Sequence, residues 1–199
     1  MAQIDQQLTT SPETSTSGSR SYRWIPLVIA LAVLALDYLS KEIVRNNLPL
    51  YTYWAPIPAV QEFFRFTHTT NTGVAFGLFQ NGNLIFTVFA ILISAGIIVF
   101  NLKLEPGHLL LRIALGLQLG GAIGNLLDRL THGAVTDFLD FGPWPVFNVA
   151  DTAVVAGVIL MGFVLLQEER QERSDQNNAA PEIDDTAAKP LQQDEGPAH

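Results

Sequence analysis

The sequence predicts an all-α membrane protein: four transmembrane helices with a small extracytoplasmic β-rich module between helices 1 and 2. Three observations carry this. Hydrophobic residues fill 48% of 199 positions and the mean hydropathy is +0.25, more apolar than a water-soluble domain of this size. These residues gather into four blocks, at 24–39, 84–100, 109–127 and 150–166, and a helix needs about 20 apolar residues to cross a bilayer core. Between the first two blocks the chain is instead dense in aromatic and β-branched residues and broken by Pro49, Pro56 and Pro58, which favours short strands.

Residues 1–22 are rich in Ser, Thr and Gln and poor in apolar side chains, so a disordered extension is expected. Arg20 and Arg23 precede the first apolar run, but no small-x-small cleavage pattern follows Leu36. The run therefore reads as a spanning helix, about 24–44, rather than a removable leader. The module at 46–80 holds Tyr51, Tyr53, Trp54, Phe63, Phe64 and Phe66, amphipathic rings suited to a membrane surface. Asn81-Gly82-Asn83 is a turn signal before helix 2, about 83–101, whose apolar block carries no charge and should face lipid. Glu105-Pro106-Gly107 breaks the chain into a tight hairpin with helix 3, about 108–128. Gly116, Gly120 and Gly124, with Gly121 beside them, form a small-residue stripe that lets another helix approach closely. An extramembrane loop should follow, containing Gly133, Asp137, Asp140 and Pro143, before helix 4 at about 149–167. The membrane domain is thus 23–168, and 169–199 reads as a disordered acidic tail.

The net charge of −8 misleads, because 167–199 carries nine acids against three bases and accounts for most of it. No basic patch points to nucleic acid. There are no cysteines, so disulfides and thiolate chemistry are excluded. His68, His108, His132 and His199 lack metal-type spacing, and no metal or other cofactor is expected. Arg20, Arg23, Lys103, Arg112, Arg170 and Arg173 fall on one side of the predicted spans, against Lys41, Arg45, Arg65 and Arg129 on the other. That excess places both termini in the cytoplasm.

Polar residues from separate segments collect at one level of this bundle. Asp37 and Lys41 lie four apart at the end of helix 1, as a structural ion pair would. Asn71-Thr72-Gly73 lies in the module. Asn125 and Asp128 share a face at the end of helix 3 beside Arg129, and Asn148 and Asp151 share one at the start of helix 4. Asp137 and Asp151 have no base beside them in sequence, and two carboxylates brought together would hold one proton between them. Such a pair activates water, as in an aspartic protease. Plainer readings stand beside this one: Asp151 as an acid at a helix start, Asp137 and Asp140 as solvated loop acids. A Ser40–Lys41 dyad is geometrically poor, since adjacent helical residues diverge. Intramembrane acids also mark ion paths, so a small proton-coupled membrane transporter is the alternative function.

Five ordered blocks carry a resemblance. They are Asp37-Tyr38-Leu39-Ser40-Lys41, Asn71-Thr72-Gly73-Val74-Ala75-Phe76-Gly77, the run from Gly120 to Arg129, Gly133-Ala134-Val135-Thr136-Asp137-Phe138, and Phe147-Asn148-Val149-Ala150-Asp151. In this order the chain resembles the lipoprotein signal peptidases, the type II signal peptidases of bacteria, from about 24 to 166. Val74 departs from the family's more usual Ala. The resemblance implies a multi-pass aspartic endopeptidase of the bacterial cytoplasmic membrane, its site near the outer face. It puts the catalytic pair at Asp137 and Asp151, and supporting or substrate-binding residues at Asp37, Lys41, Asn71, Gly73, Asn125, Asp128, Arg129 and Asn148. It implies prolipoprotein substrates whose lipobox cysteine bears diacylglycerol, cut on the amino side of that cysteine. Membrane lipids and globomycin-type inhibitors are the other partners implied, and a monomer is expected.

Overall fold

The structure is a computed structural model that describes residues 21–73, 82–105 and 107–179. A 3-10 turn, Ser21–Trp24, leads into α1, Ile25–Asn47, with Pro26 in the first helical turn where its missing N–H costs nothing. Strand β1, Tyr53–Trp54, a second 3-10 turn at Pro58–Val60, and β2, Arg65–Asn71, follow. Then come α2, Gly82–Lys103, α3, Leu109–His132, β3, Val135–Asp140, and α4, Val149–Ala179. Of the extension expected at 1–22 all but its last two residues, the last seven residues of the module expected at 46–80, and the tail beyond 179 lie outside the described residues.

Among the described residues, three helices are long and apolar enough to cross a membrane: Asn83–Lys103, Leu109–His132 and Val149–Gln176. Helix α1 is not among them, because its second half carries Asp37, Lys41, Glu42 and Arg45. Helix α3 is the most buried of the three and packs on α1 and α2. Its glycine stripe explains how. A side chain at Gly116 or Gly120 would collide with α1, at the Ile29 Cβ (2.8 Å) and the Val33 Cβ (2.7 Å) respectively. A side chain at Gly121 would meet the Ala150 carbonyl at the start of α4. The absent side chains bring backbones together and leave little cavity, so dispersion contacts accumulate without lost space. Ala30, Ile97, Leu115 and Leu119 form the core between them. The α2–α3 hairpin is fastened by Arg112, which donates to the Asn101 Oδ1 at 2.6 Å and to the Leu104 and Glu105 carbonyls at 2.9 and 3.1 Å. A cation at a helix C-terminus satisfies carbonyls that have no partner within the helix.

The three strands make one antiparallel sheet in the order β1-β2-β3. Thr67 faces Tyr53 on one side, while Arg65 faces Asp140 and Asn71 faces Val135 on the other. The third strand is a difference from the sequence reading, which made 133–145 a loop. Gly133 ends α3 at φ 76°, the left-handed conformation that suits glycine. The chain then reverses into Val135-Thr136-Asp137-Phe138, whose β-branched and aromatic residues suit a buried strand. Asp140 is corrected with it. It is 3% exposed, and accepts from the Arg65 Nε and the Thr67 hydroxyl, each at 2.6 Å. Burial alone pushes its carboxyl up, but the bonds from Thr67, Arg65 and the Gly142 N–H outweigh that and hold it below the usual range.

Helix α4 also runs past its expected end near 167. The chain divides into two units between Val164 and Leu165. In the second unit the helix continues through the strong helix formers of 165–173 and on to Ala179, and Glu169 pairs with Arg173 one turn on at 2.6 Å.

Candidate active site

Asp151 is placed by the way α4 starts. Asn148 precedes the helix, and its side-chain oxygen accepts from the Asp151 N–H at 2.9 Å. The Asp151 Oδ2 accepts in return from the Asn148 N–H at 3.2 Å. This reciprocal pair is a capping box, with Asp in the place Glu usually takes. The other oxygen, Oδ1, accepts from the Asn125 Nδ2 at 2.7 Å. The plainer reading of Asp151 as a helix-start acid therefore describes one of its two oxygens.

Asp137 sits in the middle of β3 and is 1% exposed, so it is not a solvated loop acid. Its Oδ1 accepts from the Asn148 Nδ2 at 2.6 Å. The same Asn148 that caps α4 around Asp151 thus holds Asp137. Burial pushes the Asp137 carboxyl up to about 6, and the charge of Asp151 adds to the rise. The Asn148 and Asn71 amides and the Lys41 ammonium oppose it. A low-dielectric setting disfavours a second charge there.

A buried frame surrounds the pair. The Lys41 Nζ lies 2.7 Å from the Asp37 Oδ2, 3.2 Å from the Asp128 Oδ2 and 3.0 Å from the Asn125 Oδ1. These three contacts use all three ammonium donors, which is how a 1% exposed lysine is tolerated. Gly124 on α3 leaves the space into which the Asp37 carboxylate reaches: a Cβ there would stand 2.6 Å from its Oδ2. Both carboxylates also accept from backbone N–H groups, Asp37 through its other oxygen and Asp128 through the oxygen that meets Lys41. The Asp37 Oδ1 accepts from the Ala150 N–H at 2.9 Å, and the Asp128 Oδ2 from the Thr136 N–H at 2.9 Å. Each framing carboxylate therefore grips the backbone N–H just before one aspartate of the pair. The Asn125 Oδ1 accepts from both Lys41 and Asn148 (3.0 and 3.2 Å), which fixes its amide so that the nitrogen faces Asp151.

Arg129 donates to the Asn125 carbonyl at 3.3 Å and lies over the Phe86 ring at 5.6 Å. Its Nε is buried with no hydrogen-bond partner among the described residues, and the fields of Asp151, Asp137 and Asp128 all reach it. Asn71 ends β2 opposite Val135, and its Oδ1 accepts from the Gly73 N–H at 2.8 Å. Gly73 has φ 75° and lies against the Phe86 ring, where a side chain has no room. The residues that the resemblance put in the site thus fall in or beside one cluster, whereas Asp140 lies outside it with Arg65 and Thr67.

Beside the pair, a cavity of about 380 Å³ is walled by Phe86, Phe89, Ile93 and Val154, with Asn125, Arg129 and Asp151 at its polar end. A larger one, about 500 Å³, lies between α1 and the sheet against Trp54, Phe66 and Phe138, but no titratable group lines it. Of the two, the smaller is lined by one carboxylate of the pair, Asp151. Sequence reasoning missed Arg45 and Thr136, which complete the frame around Asp128. Arg45 was within reach of it: 37, 41 and 45 continue one face of α1 at four-residue spacing.

A family model described as signal peptidase (SPase) II matches residues 29–167. The lipoprotein signal peptidase of Moorella thermoacetica is 45% identical over 140 residues, covering 70% of this chain and 91% of that protein. That of Desulfitobacterium hafniense is 42% identical over 151 residues, 75% of this chain and 96% of that one. A solved structure described as a bacterial membrane enzyme at 2.3 Å superposes with a TM-score of 0.66 at 28% identity, covering 79% of this chain and 93% of its own. These likenesses leave the transporter alternative unsupported. The chain belongs to the signal peptidase II family.

Proposed function

We propose that Asp137 and Asp151 are the catalytic pair of an aspartic endopeptidase that removes signal peptides from diacylglyceryl-modified prolipoproteins, cutting on the amino side of the lipidated cysteine. The observation that carries the assignment is the Asn148 bridge: one residue binds both carboxyl groups, its side-chain amide donating to Asp137 and its backbone N–H to Asp151, where burial raises Asp137 to about 6. Two acids in that relation hold one proton between them. The ionised member takes a proton from water as it attacks the scissile carbonyl, and the protonated member donates to the carbonyl oxygen. The tetrahedral diol collapses as a proton passes to the leaving amine, and the pair is restored. Asn125 and Asn148 orient the carboxyls, and the free Arg129 Nε offers a donor to the substrate backbone. The apolar walls of the 380 Å³ cavity suit the hydrophobic end of a signal peptide.

On this reading α1 joins the three apolar helices as a fourth span, its charges at a membrane boundary. The sheet lies at the outer face, and both termini are cytoplasmic, as the Lys and Arg distribution favours. Globomycin-type cyclic peptides would compete for the same cleft. All of the framing residues come from one chain, which suits a monomer.

The test is cleavage of a lipidated precursor by the purified enzyme in bilayer discs. Asp137→Asn and Asp151→Asn should each lose at least about a thousandfold in rate while remaining folded, since each removes a group the chemistry requires. Processing within about tenfold of normal by either variant refutes the pair.

A further inference from the structure

Each aspartate of the pair is preceded by a clamped N–H, and the two clamps are not built alike. Asp37, which holds the Ala150 N–H, meets the cation of Lys41. Asp128, which holds the Thr136 N–H, meets Lys41 through Oδ2 and a second cation through Oδ1: the Arg45 Nη1, at 3.1 Å. The same Nη1 donates to the Thr136 hydroxyl at 2.9 Å. One guanidinium nitrogen therefore binds the clamp and the residue it clamps. The Arg45 Nη2 is anchored by the Glu42 Oε2 at 3.0 Å, one turn back on α1. Thr136 is 2% exposed, so its hydroxyl needs a partner, and Arg45 supplies one.

We propose that Arg45 is a positioning residue for the hydrolytic reaction: with Thr136 and Asp128 it fixes the backbone of β3, and so sets the Asp137 carboxyl against Asp151. The proposal rests on Asp137 being catalytic. A strand is otherwise free to slide or twist by fractions of an ångström along its partner, and β2 offers β3 an irregular register between Phe66 and Thr69, alongside the pair. Helix α1 is the rigid element, and the forked donor group is the means of reaching across to the strand. Small misplacements of reacting groups fall on the chemical step, whereas the substrate cavity, walled by α2, α3 and α4, does not contain Arg45 or Thr136.

The experiment measures kcat and KM for precursor cleavage by Arg45→Gln, Thr136→Val, Thr136→Ser and the Arg45→Gln/Thr136→Val double variant. Arg45→Gln should lower kcat by about tenfold and Thr136→Val by about threefold, with KM within about twofold of normal in both. Thr136→Ser restores the hydroxyl and should restore kcat. The double variant should be no slower than Arg45→Gln, because the two side chains act as one unit. Losses that multiply in the double variant, that fall on KM, or that Thr136→Ser does not repair would overturn the proposal. If Arg45→Gln does not fold, the Thr136 pair decides alone. Asp137→Asn in the same assay separates the two levels. An inactive Asp137→Asn with unchanged Arg45 and Thr136 variants removes this role only, while an active one removes the catalytic assignment and this role together.

Discussion

Asn148 occupies the centre of the site with no exposed surface at all. Its backbone and side chain make bonds to Asp151, Asp137 and Asn125. The bond to Asp137 is between an amide and a buried carboxyl, the kind worth about 1.5–3 kcal/mol when the acceptor is charged. Asn148→Ala should therefore slow precursor cleavage by about ten- to a hundredfold, measured as kcat at saturating substrate. A change under about twofold would show that the bridge is incidental. This residue was legible in the sequence only in part. Its three-residue spacing from Asp151 is a local signal, and the capping box follows from it. Its reach to Asp137 is set by tertiary packing, which no spacing announces. The same holds for Lys41: its pairing with Asp37 is written in the four-residue interval, but its contact with Asp128 on another helix is not.

At the scale of elements, the helices were legible because a bilayer demands long apolar runs, and these stand out in composition. Strand β3 was not, because its partner β2 lies far upstream and strand pairing is non-local. Six residues between a helix and a proline-rich turn look like a loop until their partner is known. Asp140 was misread with them. In the sheet it latches β3 to β2 through Arg65 and Thr67, far from any solvated role. Asp140→Asn should cost about 2–4 kcal/mol by leaving that guanidinium without its counter-charge. Thermal or denaturant unfolding in detergent would measure it, and an unchanged transition would refute the latch. The end of α4 was missed for a related reason: a charged, Gln-rich stretch reads as tail, yet its composition also suits an extended helix held by pairs such as Glu169–Arg173.

For the whole molecule, the five blocks in order point to the family from sequence alone, and the fold joins Asp37, Lys41, Asn125, Asp128, Asp137, Asn148 and Asp151 in one network. What joins them is charge balance across the bundle: Asp37 and Asp128 against Lys41 and Arg45. The matched region ends at residue 167, and every site residue precedes it. Truncation after Arg173 should therefore leave precursor cleavage within about twofold of the full chain, since no bond of the network is touched. A large loss would assign the acidic segment a part in substrate handling.

The central claim is that Asp137 and Asp151 share a proton. It is tested most directly by following carboxyl protonation by infrared spectroscopy as pH rises. Burial and the negative charge of Asp151 both raise the Asp137 midpoint, so the folded site keeps its proton up to about 6, where an ordinary aspartate has lost it. The C=O band of a protonated carboxyl should disappear with a midpoint near 6. It should be absent in Asp137→Asn. In Asp151→Asn, where the repelling charge is gone, the midpoint should move downward. A band that titrates at ordinary aspartate pH, or that survives Asp137→Asn unchanged, contradicts the account.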